Sequence, residues 1–222
     1  MELILISSPS EKENEIRAIK RIFEMGLSRF HLRKPDWSLE DIREFLNELP
    51  DECLERTVIH RRPELLRDFP LAGYHMSSRE DYREKDFDGT LSRSFHSLDE
   101  LTKCNQQLDY AFLGPIFDSI SKQGYQAAFP ASALRAFFID RRKQRIKRPR
   151  IVALGGLVPD KVRVGLSLGF DGVAALGGVW GSRYPQKAFM RYRTAVPSRS
   201  GEGNESWIDR IFKQRANGGK SK

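Results

Sequence analysis

Short hydrophobic runs recur along the chain, and longer segments of mixed character separate them. Eight of these runs predict β-strands, because several are apolar almost without interruption, as is typical of strands buried on both faces of a parallel sheet. The predicted strands span residues 2–7, 29–33, 56–60, 71–76, 90–95, 109–114, 150–154 and 171–176.

The separating segments place their apolar residues at helical spacing, with charged residues on the opposite side. Ser38 and Ser97 stand where N-terminal caps are expected, and each is followed three residues later by an acidic residue. Pro159 suits the first turn of a helix. The predicted helices span residues 11–25, 38–49, 97–104, 131–142, 159–168 and 185–194.

Eight strands that alternate with helices predict an α/β protein, a single compact (β/α)8 TIM barrel over residues 1–196. A doubly wound open sheet is the alternative, but it would need a glycine-rich turn after the first strand, and that turn reads SSPSEKE. Residues 197–222 are rich in Gly, Ser and charge, which predicts a basic, disordered C-terminal tail.

The formal net charge of +8 is concentrated in two segments. Residues 141–150, RRKQRIKRPR, carry +7 and residues 197–222 carry +3, which leaves −2 for the rest of the chain. The run lacks aromatic residues that could stack on bases, and in a barrel it would lie at the end opposite the active site. We therefore expect a solvated surface and no nucleic-acid partner. An interaction protein that binds anions through this run is the alternative.

The sequence also excludes several classes of protein. No apolar run approaches the roughly 18–20 residues of a membrane span, and the N-terminus lacks the basic region of a secretory signal. Cys53 and Cys104 lie far apart and outside any CxxC pair, which excludes a disulfide framework and leaves no obvious thiolate metal site. These features predict a cytoplasmic protein without a membrane partner.

The carboxyl ends of the predicted strands carry the side chains that a barrel gathers into its active site. All four histidines of the chain fall at or just beyond these ends, as His31, His60, His75 and His96. We expect structural roles for His75 and His96, whereas the position of His31 suits a functional role as well as a structural one.

Two Gly-Gly pairs follow the seventh and eighth predicted strands, at Gly155–Gly156 and Gly177–Gly178. Barrels often bind phosphate with the backbone N–H groups of these two loops, and glycine lets the backbone approach an anion closely. The pairs predict a phosphate site, to which Arg33 and Lys122 would add positive charge. A Mg²⁺ ion has poor support, because these ends carry no pair of carboxylates and Glu80 alone is a thin ligand set.

The stretches DYAFLGPIFDSISKQGY (109–125) and VALGGL (152–157) resemble motifs of the thiamine-phosphate synthase/TenI family, which are small (β/α)8 barrels. The resemblance extends over most of residues 2–193, with further support from GYHMSSRE, SFHSLDE and GFDGVAALGGVW. It implies transfer of a hydroxymethylpyrimidine group from its pyrophosphate to thiazole phosphate, which gives thiamine phosphate. In that reaction the pyrophosphate leaves, held by Mg²⁺ and basic side chains, and the thiazole nitrogen captures the pyrimidine cation.

The resemblance also implies roles for individual residues. Gly155–Gly156 and Gly177–Gly178 correspond to the cradle of the thiazole phosphate, and Ser94 corresponds to a substrate-binding serine of the fifth strand. Arg33 corresponds to the arginine of the family's Q-x-R-x-K motif, and Lys122 to the pyrophosphate-binding lysine after the sixth strand.

The chain departs from the family at the pyrimidine and metal end. His31 stands in place of the glutamine of that motif, and Pro35 in place of its lysine. His60–Arg61 replace an Asn-Asp pair whose aspartate binds Mg²⁺, and Ser77–Ser78 replace Gly-Gln. Arg61 cannot bind Mg²⁺ but could neutralise a phosphate, and Glu80 aligns with the second Mg²⁺ carboxylate.

These departures leave two functions open. We favour a synthase-like transferase with Arg33, Lys122 and His31 as catalytic residues, since Pro115 follows the glycine of the sixth strand, where the tautomerase branch has a histidine. The alternative is a TenI-like barrel that binds thiazole phosphate or thiamine phosphate without Mg²⁺-dependent turnover. The expected partners are the phosphorylated thiazole and pyrimidine substrates and, because barrels of this family often pair, a second copy of the chain.

Overall fold

The computed structural model describes residues 1–77, 87–118, 128–143, 148–197 and 210, and every structural statement below refers to these residues. Eight parallel strands form a closed barrel in chain order, and β1 pairs with β8 through Leu3 and Val173. The closed barrel confirms the predicted fold and excludes the open sheet. The strands are β1 Glu2–Ile6, β2 Arg29–Leu32, β3 Thr57–His60, β4 Gly73–Met76, β5 Thr90–Phe95, β6 Tyr110–Leu113, β7 Arg150–Leu154 and β8 Gly172–Ala175.

Helices cover the outside of the barrel and include all six that the sequence pattern predicts. The helices are α1 Glu15–Glu24, α2 Leu39–Asn47, α3 Asp51–Leu54, α4 Leu98–Lys103, α5 Ala131–Lys143, α6 Pro159–Ser167, α7 Gly177–Trp180 and α8 Pro185–Ala195, with a 3₁₀ helix at Pro63–Leu66. The three additional elements, α3, α7 and the 3₁₀ helix, have four residues each, which is too short to show a helical period in the sequence.

Two helix starts differ from the expected pattern. Helix α1 begins at Glu15 rather than at residue 11, because Asn14 adopts a left-handed backbone with a φ of 57° that ends the preceding loop. At α4 the hydroxyl of Ser97 accepts from the N–H of Glu100, as expected, but the Glu100 carboxylate accepts from the N–H of His96. In a capping box the acidic side chain would accept from the N–H of Ser97 itself, so the cap that Ser97 and Glu100 indicate in the sequence is only half formed.

The buried side chains divide into two layers because successive residues of a strand point to opposite faces. The larger layer lies between the strands and the helices, and Phe30 and Tyr74 belong to it. The smaller layer fills part of the barrel interior and consists of Ile4, Ile6, Tyr110, Phe112, Val152 and Ala174. This alternation decides which residues of each strand can reach the interior and the active-site end.

The basic run lies away from the carboxyl ends of the strands, as far as the structure describes it. Arg141–Lys143 end α5, and Arg150 begins β7, where its guanidinium forms an ion pair with Asp171 at 3.0 Å. Residues 144–147 lie outside the described residues, as does the predicted tail 197–222 apart from residues 197 and 210. Among the described residues, no helix combines the length and the apolar character needed to span a membrane.

Candidate active site

Three histidines from adjacent strands meet inside the barrel near its carboxyl end. We call His31 of β2, His60 of β3 and His75 of β4 the histidine cluster. Strand alternation explains their direction, since their neighbours along the chain, such as Leu32 and Met76, pack outward against the helices. His31 and His75 are buried, whereas His60 is partly exposed. The cluster therefore opens toward solvent on the side of His60.

Hydrogen bonds link His31 to its neighbours through both ring nitrogens. Its Nδ1 lies 3.0 Å from Nε2 of His60, and its Nε2 lies 2.7 Å from the hydroxyl of Tyr110. The ring of His60 stacks on that of His75 with centroids 4.1 Å apart. Tyr110 thus supports the cluster from β6, across the barrel interior.

Two serines of β5 hold His75. Its Nδ1 lies 2.8 Å from Oγ of Ser92, and its Nε2 lies 2.9 Å from Oγ of Ser94. His75 therefore has a hydrogen-bond partner at each ring nitrogen. Ser94, which the sequence placed in the substrate site, contacts this histidine directly.

The interior keeps the cluster uncharged at neutral pH. Burial lowers the pKa of His31 and His60 well below the usual range, and nearby positive charge on Arg33 and Arg61 contributes at His60. Burial, with a smaller effect of Arg33, lowers the pKa of His75 to about 3. Each ring therefore keeps one unprotonated nitrogen that can accept a hydrogen bond or bind a cation.

Arg33 and Arg61 stand beside the open side of the cluster. Arg33 follows β2 directly and is partly exposed, and its N–H donates to the hydroxyl of Ser7 at 2.8 Å, which fixes its backbone. Arg61 is exposed and adopts a left-handed backbone with a φ of 59° just after His60. The two guanidinium groups supply positive charge at this end of the barrel, where an anionic substrate would enter.

Lys34 does not join this site, although it follows Arg33 in sequence. Its ammonium group is buried in an ion pair with Glu15 and donates to the carbonyl of Ser10 at 3.0 Å. It also lies 4.5 Å from the ring centroid of Trp37. Lys34 therefore ties the loop before α1 to the end of β2.

The glycines after β7 are required by packing, whatever they bind. Gly155 and Gly156 have φ values of 92° and 63°, which favour glycine. A Cβ on Gly156 would lie 2.2 Å from the carbonyl oxygen of Phe117, and one on Gly155 would lie 2.8 Å from Cα of Pro115. The loop after β7 therefore packs closely against the chain that follows β6.

The second glycine pair begins α7, directly after β8. A Cβ on Gly178 would lie 1.9 Å from the hydroxyl of Tyr192, which itself donates to the carbonyl of Leu157 at 2.7 Å. Because β7 and β8 are parallel and each is followed directly by a Gly-Gly pair, Gly177 and Gly178 lie at the same end of the barrel as Gly155–Gly156. The structure gives a packing reason for three of the four glycines, and their role as a phosphate cradle stays a prediction.

Two site residues expected from the sequence, Lys122 and Glu80, lie outside the described residues. Conversely, the sequence interpretation missed Tyr110 and Ser92, which hold the histidine cluster. A signal existed for Ser92, because it precedes Ser94 by two residues and therefore shares its side of the strand.

Among the described residues, no group of three acidic side chains that could hold a Mg²⁺ ion is found. Within them, the only group of three side chains of metal-ligand type is the histidine cluster, with donor atoms within 4.8 Å of one another. Mg²⁺ prefers oxygen ligands in octahedral geometry, whereas imidazole nitrogen suits zinc and related transition metals. Binding of Mg²⁺ at Glu80 stays a prediction.

Comparisons with known proteins agree on one family. The sequence profile TMP-TENI, described as thiamine monophosphate synthase, matches residues 3–179. A thiamine-phosphate synthase of Geobacillus thermodenitrificans is 33% identical over 115 residues, which are 51% of this chain and 50% of that protein. One of Anoxybacillus flavithermus is 27% identical over 167 residues, 69% of this chain and 74% of that protein. The first match thus spans about half the length of the relative.

Solved structures of thiamine phosphate pyrophosphorylases also resemble this chain. A thiamine phosphate pyrophosphorylase from Bacteroides thetaiotaomicron superimposes with a TM-score of 0.73 at 27% identity, covering 88% of this chain and 97% of that one. A thiamine phosphate pyrophosphorylase from Pyrococcus furiosus, at 19% identity, has a TM-score of 0.71 and covers 87% of this chain and 94% of that one. The second likeness, at its low identity, concerns the fold alone.

Proposed function

The chain belongs to the thiamine monophosphate synthase family, and we propose that it transfers a hydroxymethylpyrimidine group from its pyrophosphate to thiazole phosphate. The single observation that carries this proposal is the family match over residues 3–179, which includes both glycine loops and the histidine cluster. The product would be thiamine phosphate.

We assign the thiazole phosphate to the backbone of the two glycine loops. Gly155–Gly156 and Gly177–Gly178 follow neighbouring strands, β7 and β8, so their N–H groups lie at one edge of the barrel mouth. Backbone N–H groups can bind a phosphate there without adding a side chain between the anion and the barrel. Ser94 of β5 would lie at another edge of the same mouth.

The basic residues would bind the leaving pyrophosphate. The bond between the pyrimidine methylene carbon and the pyrophosphate oxygen breaks, and its electron pair leaves with the pyrophosphate. The lone pair of the thiazole nitrogen then forms the new C–N bond. Arg33 and Arg61, with Lys122 as a further candidate, would stabilise the negative charge that develops on the leaving group. From the sequence we expect His31 to be a catalytic residue, but its ring is fully buried, so it would instead act through His60 as a positioning residue.

A direct assay tests the proposal. Purified protein is incubated with the pyrimidine pyrophosphate, thiazole phosphate and Mg²⁺, and thiamine phosphate is measured by chromatography. We expect turnover in the wild type and a decrease of roughly 10²–10³-fold in kcat for Arg33→Ala, since a charge that stabilises the leaving group is lost. Lys143→Ala removes the same charge from the exposed end of α5 and should leave kcat unchanged. Absence of product at enzyme-level concentration would contradict the proposal.

A second candidate function is binding of thiazole phosphate without turnover. It is favoured by Arg61, which stands where the family resemblance implies an aspartate, and by the absence of any group of three acidic side chains placed to share a metal ion among the described residues. In this case binding of thiazole phosphate, measured by calorimetry, should survive excess EDTA. Loss of binding on chelation would exclude it.

The substitution Arg61→Asp separates the two candidates. Aspartate accepts a left-handed backbone more readily than arginine does, so the change should preserve the loop. If the arginine only blocks a metal-dependent synthase, Arg61→Asp should raise Mg²⁺-dependent turnover. If Arg61 itself stabilises the leaving pyrophosphate, turnover should fall.

A further inference from the structure

We propose that the histidine cluster of His31, His60 and His75 is a binding site for one divalent transition-metal ion of the zinc type. Three imidazoles on adjacent strands converge without any carboxylate among them. Three histidines plus one exchangeable ligand is a common arrangement of zinc in catalytic sites. The proposal does not depend on the reaction proposed above.

The spacing of the donor atoms is close to that of a metal site. Zinc–nitrogen bonds of about 2.0–2.1 Å place the ligand nitrogens of a tetrahedral site about 3.3 Å apart. Nδ1 of His31 and Nε2 of His60 already lie 3.0 Å apart, and the donors of all three rings lie within 4.8 Å of one another. The remaining difference requires the third ring to move inward by about 1–2 Å, which would replace one of its hydrogen bonds with a metal bond.

The surroundings supply the outer contacts that metal-binding histidines need. A ligating imidazole usually donates its other N–H to a nearby oxygen, which fixes the ring and its tautomer. With Nδ1 of His31 on the metal, its Nε2–H would donate to the hydroxyl of Tyr110, 2.7 Å away. His75 has a serine at each nitrogen, so either nitrogen can bind the metal while Ser92 or Ser94 holds the other.

The site has an open side and a charge that selects its fourth ligand. His60 is the partly exposed member, so the fourth position would face the barrel mouth. Arg33 and Arg61 lie on this side and act electrostatically on His60. Because they repel a bare cation, they favour an anionic fourth ligand, such as hydroxide or a phosphate oxygen.

Metal titration without any substrate tests the proposal. Protein without an affinity tag is dialysed against EDTA, then against buffer, and titrated with Co²⁺ and Zn²⁺ in separate experiments. We expect about one equivalent of each metal by equilibrium dialysis, together with the visible absorption of tetrahedral cobalt. Excess Mg²⁺ should not displace the cobalt, because its preferred ligands are oxygens.

Three variants test whether the metal ion binds at the histidine cluster. His60→Ala should weaken binding by more than about 100-fold, because a direct ligand is lost. His96→Ala removes the fourth histidine of the chain, which lies outside the cluster with its Nδ1 3.1 Å from the carbonyl of Gly114, and should bind like the wild type. If His60→Ala fails to fold by circular dichroism, the double variant Ser92→Ala/Ser94→Ala takes its place, because it removes the outer partner of His75 whichever ring nitrogen binds the metal, and we expect a loss of roughly 10–100-fold.

The proposal is overturned if the wild type binds neither Co²⁺ nor Zn²⁺ in the titration, if the folded His60 variant or its serine replacement binds as tightly as the wild type, or if His96→Ala no longer binds the metal. A synthase reaction that fails would leave these outcomes unchanged, since no substrate is present. Conversely, a working synthase that takes up neither Co²⁺ nor Zn²⁺ in the titration would overturn this proposal and leave the proposed function intact.

Discussion

The barrel interior has two unlike halves. The apolar half, around β6, β7, β8 and β1, is filled by Phe112, Val152, Ala174, Ile4 and Ile6. The polar half, around β2 to β5, contains the three imidazoles of the histidine cluster and the hydroxyls of Ser92 and Ser94. Both halves arise from the same strand alternation. The difference shows that one half stabilises the fold by burial alone, whereas the other half is stable only while each nitrogen and oxygen keeps a partner.

The largest effect should come from a cavity in the apolar half. Ile4 is fully buried, so Ile4→Ala should lower the free energy of unfolding by about 2–5 kcal/mol. Urea denaturation followed by circular dichroism measures the change. Ile139→Ala, on the exposed face of α5, is the matched control and should change it by less than about 0.5 kcal/mol. Equal losses in the two variants would mean that the interior is not a packed core.

A smaller effect should come from the loss of one hydroxyl that links the halves. Tyr110→Phe removes the hydrogen bond to Nε2 of His31, which leaves a buried nitrogen without that partner. We expect a loss of about 1–3 kcal/mol in the free energy of unfolding. Tyr184→Phe, at an exposed ring on the outside of the barrel, should have almost no effect. A neutral Tyr110→Phe would show that the polar half does not need its hydrogen bonds.

Acid should destabilise the polar half gradually in protein kept free of metal with EDTA. The pKa of His75 is lowered to about 3, so below about pH 6.5 the unfolded chain binds a proton at this residue that the folded chain does not. The free energy of unfolding should therefore fall between about pH 6.5 and 3, by at most about 1.4 kcal/mol per pH unit for each such histidine. Above that window the residue has no effect.

A variant of His75 separates the contribution of this residue to the pH dependence of stability from the contribution of the carboxyl groups of the protein. His75→Gln should flatten the dependence of the free energy of unfolding on pH in this window, compared with the wild type measured in parallel. A pH dependence that does not change in His75→Gln would contradict the neutral, buried state of this ring.

The sequence predicted the fold more completely than the site. Every predicted strand is present, because a strand buried on both faces must be apolar along its length, and such runs as YAFL of β6 are visible without a structure. The start of α1 was placed four residues too early, because the charged residues before Glu15 continue the polar pattern while the backbone at Asn14 turns left-handed.

The sequence predicted which residues lie at the strand ends, but it did not predict the hydrogen bonds that join them. The sequence placed all four histidines at strand ends, and the structure brings His31, His60 and His75 together, whereas His96 lies outside the cluster. The contact between His31 and Tyr110, 79 positions apart, depends on the stagger of strands across the barrel, which the sequence pattern does not contain. Likewise, Gly156 suggested a phosphate, whereas its close approach to Phe117 is visible only in three dimensions.

The left-handed backbone at Arg61 has a consequence for how this barrel could change over generations. A non-glycine residue in this conformation is uncommon, and aspartate and asparagine tolerate it best. The residue that the family resemblance implies at this place is an aspartate, so the loop retains a shape that suits it. Exchange between arginine and aspartate at this position therefore needs a single substitution and no rebuilding of the loop, which makes the two versions of this barrel close neighbours in evolution.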